Sequence, residues 1–213
     1  MKKRLICALS LLLLPCLAGC GRPVELYGIR RVAILALDNY TARRQLGAEI
    51  GRELMAQIPV RLAVEVIDGA AVEAGLPTGG AGSLLGDPGL AAGLGQRFGV
   101  DAFLCVTAVS YREFRDRTLD LSLASGEGLG AAFVVKVGVE VVFDLRLVLA
   151  ADGSAPLYRQ SAAVREERLV FDLTRPYRSF ALSIEPCYRR LREEAVHEAV
   201  AKLIAMLRRE YGV

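Results

Sequence analysis

FVVKVGVEVVFDLRL, residues 133–147, alternates with a period of two along its whole length. Phe133, Val135, Val137, Val139, Val141, Phe143, Leu145 and Leu147 share one face, and Lys136, Glu140, Asp144 and Arg146 share the other. Successive side chains of a strand point to opposite faces, so this spacing predicts one long β-strand with a dry face and a wet face. Just upstream, TLDLSLASGEGLGAAFVV (118–135) alternates through Leu119, Leu121 and Leu123, breaks at SGEG, and alternates again from Leu129. It reads as a hairpin with an apolar outer face. Whether that face packs on the protein's own core or on lipid decides between classes of function. Downstream, Asp152-Gly153 turns the long strand back into another at 157–164.

The remaining elements alternate between strand and helix. VAILAL (32–37) is a continuous apolar run of strand length, as expected where both faces are covered. Asp38-Asn39-Tyr40-Thr41 has turn and cap chemistry. Leu46, Ile50, Leu54 and Ile58 recur every four residues and predict a helix closed by Pro59. Val60, Leu62, Val64 and Val66 then alternate as a strand. Residues 69–86 are Gly-rich and read as a loop with a short helix around Val72. Asp87-Pro88 is a cap followed by proline at the first helical position, opening a helix that runs to Phe98 and stops at Gly99. Residues 101–111 read as a strand. The last element is an amphipathic helix over 186–211, with Leu191, Ala195, Val196, Ala199, Val200, Leu203, Ile204 and Leu207 as its apolar stripe. The pattern is α/β: a mixed β-sheet flanked by helices, with one or two extended β-hairpins and a C-terminal amphipathic helix.

The start of the chain predicts an address. MKKR is basic, LICALSLLLLPCLAG is apolar but short for a bilayer span, and the run ends in small residues, the layout of a secretory signal. Leu17-Ala18-Gly19-Cys20 matches the lipobox of bacterial lipoproteins. That match implies diacylglycerol on the Cys20 sulfur, cleavage before Cys20 and acylation of the new amino terminus. The expected organisation is a lipoprotein signal peptide at 1–19, a lipidated tether at 20–30 and one α/β domain at 31–211. Gly21, in place of an aspartate, points to the outer membrane with the domain facing the periplasm.

Removing Lys2, Lys3 and Arg4 with the signal leaves 24 basic residues against 24 acidic ones. The mature chain therefore carries no net charge and no basic stripe for nucleic acid. Of the five cysteines, Cys7 and Cys16 leave with the signal and Cys20 carries lipid. Cys105 lies in an apolar strand and reads as a buried thiol, and Cys187 is the other that remains. His197 is the single histidine and falls on the polar face of the last helix, so no nucleophile–base pair and no metal or cofactor site is legible. GSLLGDPG lacks the Gly-Lys-Ser/Thr of a phosphate-binding loop. The expectation is a protein that is no enzyme and has no cofactor beyond the lipid on Cys20.

RVAILALDNYT with Gly47, Glu49-Ile50-Gly51 and Leu54, then FGVDAFLCVTAVSYRE, then VEVVFDLRLVLAADGSAPLY, occur in the order seen in the CsgG-like family of envelope lipoproteins. The chain resembles that family over most of 31–211. The family includes the curli-secretion channel lipoprotein and is related to LpoB and to TolB-like amino-terminal domains. In the channel, two hairpins per subunit join a ring and build a β-barrel. The resemblance implies a first hairpin at 112–137, a second at 167–186 (ERLVFDLTRPYRSFALSIEP), and a constriction loop at Asp38-Asn39-Tyr40. The second pair of arms is short for a barrel crossing, which takes ~9–11 residues per strand. The implied partners are the membrane through the lipid, other envelope proteins and further copies of the chain. Two classes stay open: a ring-forming secretion or assembly subunit, and a non-channel adaptor that docks an envelope enzyme or machine.

Overall fold

The long alternating stretch forms β5, Ala132–Leu149, between β4, Ala102–Asp120, and β6, Leu157–Asp172. Both pairings are antiparallel. The β4 register runs from Ala102↔Leu149 to Asp120↔Ala132, and the β6 register from Arg146↔Leu157 to Ala132↔Asp172. The computed structural model describes residues 23–35, 38–67, 69–76, 80–120, 132–172 and 177–213. The expected signal peptide, Cys20 and residues 121–131 of the expected first hairpin lie outside the described residues.

Two short parallel strands, β1 (Arg31–Ile34) and β3 (Glu65–Ile67), extend the sheet at one end of β4, giving the order β3-β1-β4-β5-β6. A third, β2 (Asp38–Asn39), pairs with β4 at Thr107 and Ala108. We call the end where β1 begins the base. The Asp101 carboxylate locks it by accepting from Arg30 N and Arg31 N at 2.8 and 2.9 Å.

The dry face of β5 is buried from Val135 to Leu147 under α1 (Leu46–Arg61) and α4 (Tyr177–Tyr211). At the base the other face is covered too. There α2 (Gly69–Glu73), a 3₁₀ turn (Gly80–Leu85) and α3 (Pro88–Phe98) bury Phe103, Cys105 and Val148. The base is thus a three-layer α/β/α unit. Towards the far end that second face stays exposed at Arg112, Asp116, Lys136 and Arg165. The helix α4 runs back along the sheet from far end to base. Its Tyr188 hydroxyl donates to Phe114 O (3.3 Å), Lys202 Nζ donates to Ser161 O (3.4 Å), and the Tyr211 hydroxyl meets that of Tyr158 (3.0 Å).

Several expectations hold in detail. Asp87 caps α3, its side chain accepting from Leu90 N at 2.9 Å, and Gly99 ends it in the left-handed region at φ 62°. A short helix does surround Val72. Cys105 is buried and Cys187 partly so, and the two are not joined.

Four expectations are corrected. Pro59 does not close α1, which continues to Arg61. The four-residue spacing runs on to Leu62, whose N–H bonds Ile58 O at 2.8 Å, and burial of that stripe outweighs the one donor that proline lacks. The strand expected over Val60–Val66 therefore shrinks to Glu65–Ile67. The first strand ends at Ile34, not at residue 37, and Asp38-Asn39 pairs with β4 instead of only turning. The second hairpin is overturned: β6 extends to Asp172, and from Tyr177 the chain is helical through Pro186. Ile184, Tyr188, Leu191 and Ala195 lie four, three and four apart, and Ile184, Leu191 and Ala195 are buried. A short apolar run such as Phe180, Leu182, Ile184 reads equally as strand, and the downstream helical stripe decides.

Candidate docking surface

Three features meet where the sheet leaves its base. The first is an edge. β4 outlasts its short neighbours: β1 pairs with it only up to Leu104 and β2 only up to Ala108. Beyond Ala108 no strand among the described residues pairs with its outer side, so Ser110–Asp120 presents backbone donors and acceptors along one edge. Such edges are templates for another chain. A register irregularity between Ala108 and Ser110 marks where the edge opens, and Tyr40 and Val109 are exposed beside it.

The second feature is the exposed face of this far half. Phe114 stands opposite Gly138 in the β4–β5 register, and its ring lies over the glycine so closely that a Cβ there would come within 2.0 Å of the ring carbon Cζ. The guanidinium carbons of Arg112 and Arg165 lie 5.9 and 5.0 Å from the ring centroid. Both distances are within cation–π range. Arg112 also pairs with Glu140 at 3.6 Å, and Arg159 grips Asp144 with two bonds of 2.6 and 2.8 Å. That grip holds the Asp144 carboxyl below the usual carboxylate range. Glu140 and Asp144, expected to be plain solvated alternation, are each ion-paired.

The third feature is a charged network under the edge. Arg192 on α4 is buried, and its Nε donates to Glu49 Oε2 on α1 at 2.9 Å. Tyr111 on β4 donates to Glu113 Oε1. Arg43, in the turn before α1, lies with its guanidinium 5.5 Å from the Tyr111 ring centroid and 3.6 Å from Glu113 Oε1. Desolvation first, then the bond to Glu113, pushes the Tyr111 phenol up to about 12. Asn39 braces the same turn, its amide donating to Arg43 O at 2.8 Å and its oxygen accepting from Thr41 N at 3.0 Å. Two arginines against two carboxylates cancel in charge. What the arrangement supplies is a stiff shoulder holding the root of the open edge in place.

The residues singled out in the sequence fall elsewhere. Cys20 lies outside the described residues. His197 is exposed, as expected for the polar face, yet its Nδ1 sits 2.7 Å from Glu53 Oε1 on α1, with the Gln57 amide donating to that carboxylate (2.6 Å) and to His197 O (3.2 Å). The residue ties two helices. No cluster of metal-ligating side chains occurs among the described residues. No described helix is long and apolar enough to cross a membrane, a statement that leaves strands aside. Arg43, Tyr111, Glu113 and Arg192 were not singled out by the sequence.

No family model and no curated protein sequence matches the chain. Among solved structures, it is similar to lipoprotein GNA1162 from Neisseria meningitidis at 17% identity and TM-score 0.40, covering 76% of this chain and 96% of that one. A PelC dodecamer from Paraburkholderia phytofirmans aligns at 12% identity and TM-score 0.43, covering 85% and 89%. The LpoB C-terminal domain from Salmonella enterica aligns at 14% and 0.36, covering 73% and 93%.

Proposed function

We propose that this chain is a lipid-anchored envelope protein that acts by docking another protein along its long sheet, as an adaptor or assembly component and not as an enzyme. The observation that carries the reading is the open β4 edge, Ser110–Asp120, on a rigid base. Main-chain pairing along such an edge gives affinity, and the side chains beside it give selectivity. The Phe114 sandwich between Arg112 and Arg165 suits a partner strand carrying carboxylates or aromatic rings. Lipidation at Cys20 would hold the domain at the periplasmic face of the outer membrane.

The anchor is tested with Cys20→Ala. The expected result is loss of the protein from the membrane fraction or accumulation of the uncleaved precursor. Full membrane partitioning of a cleaved Cys20→Ala protein would sink the lipid-anchor reading.

A second reading is favoured by the other edge. The outer side of β6 is also unpaired among the described residues, so the β4 edge of one copy and the β6 edge of the next are offered to each other head to tail. Such heterologous contacts make a ring when the rotation from copy to copy closes, and a filament when it does not. Native mass in mild detergent separates the two: a monomer at all concentrations leaves the adaptor, and a discrete closed oligomer supports the ring.

A further inference from the structure

The tether and the hairpin leave the domain at opposite ends. Val24 N donates to Arg61 O and Val24 O accepts from Ala63 N, at the C-terminal end of α1. Tyr27 N donates to Tyr211 O and Val213 N donates to Glu25 O, at the C-terminal end of α4. The chain is therefore fixed to the base from Val24 onward, and only Gly21, Arg22 and Pro23 separate that point from Cys20. Four steps of at most ~3.6 Å give a reach of about 14 Å. The far end of the sheet is much further away. The 19 residues of β4 span about 60 Å at ~3.3 Å each. The 35 residues of α4, lying alongside, span about 52 Å at 1.5 Å each.

The base itself has the character of a membrane-facing surface. Tyr27, Val60 and Val213 are 81, 67 and 84% exposed, although all three are apolar or aromatic. Arg208 and Arg209 are exposed on the last turn of α4, and the exposed acids at this end include Glu25, Glu210 and Glu65, the last paired with Arg31. A tyrosine, apolar side chains and arginines are what a phospholipid headgroup region accommodates.

We infer that the base, at Tyr27, Val60 and Val213, lies on the phospholipid leaflet that holds the Cys20 lipid, and that the β4–β5 hairpin points away from that leaflet. The inference rests on the lipidation of Cys20 proposed above. It deepens that reading, because it makes the far end of the sheet a protein-facing end and removes it from the leaflet holding the anchor.

The chain contains no tryptophan, so one introduced tryptophan reports without background. The full-length protein is matured in cells, and its intact mass is measured to establish acylation. It is then placed in vesicles of phosphatidylethanolamine and phosphatidylglycerol, with and without brominated phosphatidylcholine. The expected result is several-fold stronger quenching for Tyr27→Trp and Val213→Trp than for Asp116→Trp. An acylated, vesicle-bound protein in which Asp116→Trp is quenched as strongly as the other two, or in which both base tryptophans escape quenching, overturns the orientation while leaving lipidation intact. A mature mass without acyl chains removes the lipidation reading and this one with it.

Discussion

Arg192 Nε lies 2.9 Å from Glu49 Oε2, an ion pair between α4 and α1 in which the arginine side chain is only 5% exposed. Removing one member of a buried pair strands the other charge, a loss of about 3–5 kcal/mol. Arg192→Ala is therefore expected to lower the urea midpoint severely. Replacing both members with apolar residues of similar volume, Glu49→Leu with Arg192→Met, is expected to recover most of the loss, since the desolvation of both charges is relieved together. A double variant as unstable as the single one would show that the stranded charge of Glu49 does not account for the loss.

Tyr111 supplies a pH test of the same network. Its folded pKa, about 12, stands above the ordinary 10.0, so the folded state holds the phenolic proton more tightly than the unfolded chain. The sign follows: this contribution to stability is fully present below pH 10 and is lost as pH rises towards 12. Ultraviolet titration of the phenols is expected to lose one late-ionising group in Tyr111→Phe. Stability measured between pH 10 and 12 should fall less steeply in that variant than in the parent, because one of the protons being released is gone. Tyr158 and Tyr188 are also raised and persist in both proteins, so the difference between the two isolates Tyr111.

The difference between what the sequence told and what it hid is physical. The strand at 133–147 was legible because its residues from Val135 to Leu147 bury one face against the helical layer that includes α4, so an apolar side chain recurs at every second position. The helix at 87–99 was legible because cap, proline and glycine are local signals. At 177–186, five apolar residues fit either period, and the choice was made by the sheet that α4 lies on. The shoulder was hidden for a stronger reason. Arg43, Tyr111 and Arg192 are brought together only by the fold, and no spacing along the chain encodes their meeting. One local signal existed: Arg192 lies four residues after Tyr188 and three before Ala195, on the apolar stripe of α4, where a charge needs a partner.

Gly138 is where the exposed face can be altered without touching the core. An added methyl would occupy the space of the Phe114 ring, whose far carbons lie 2.0–2.8 Å from the ideal Cβ position. The ring is the end of a rotatable side chain on an exposed face, so it is expected to swing away and leave the backbone pairing intact. Alanine is also favoured over glycine within a strand by roughly 0.5–1 kcal/mol. Gly138→Ala should therefore keep stability within about 1 kcal/mol of the parent while shifting the Phe114 ring resonances. A large loss of stability would mean that the ring cannot leave and that the sandwich with Arg112 and Arg165 is structural.

Charge reversal beside the two edges distinguishes a second copy from a different partner. A head-to-tail ring uses the β4 edge of one subunit and the β6 edge of the next, so each copy spends its two edges on two neighbours through the same kind of interface. Arg112→Glu, near the β4 edge, and Arg159→Glu, on β6, would then weaken one and the same assembly. Native mass in mild detergent should show both variants shifting towards monomer. An adaptor that docks a different chain along β4 behaves otherwise. Arg112→Glu weakens binding of its partner, while Arg159→Glu leaves that binding unchanged and lowers only the stability of the fold, through the lost pairing with Asp144 and the two carboxylates it sets opposite each other. Equal sensitivity at the two edges speaks for the ring, and sensitivity at β4 alone speaks for the adaptor.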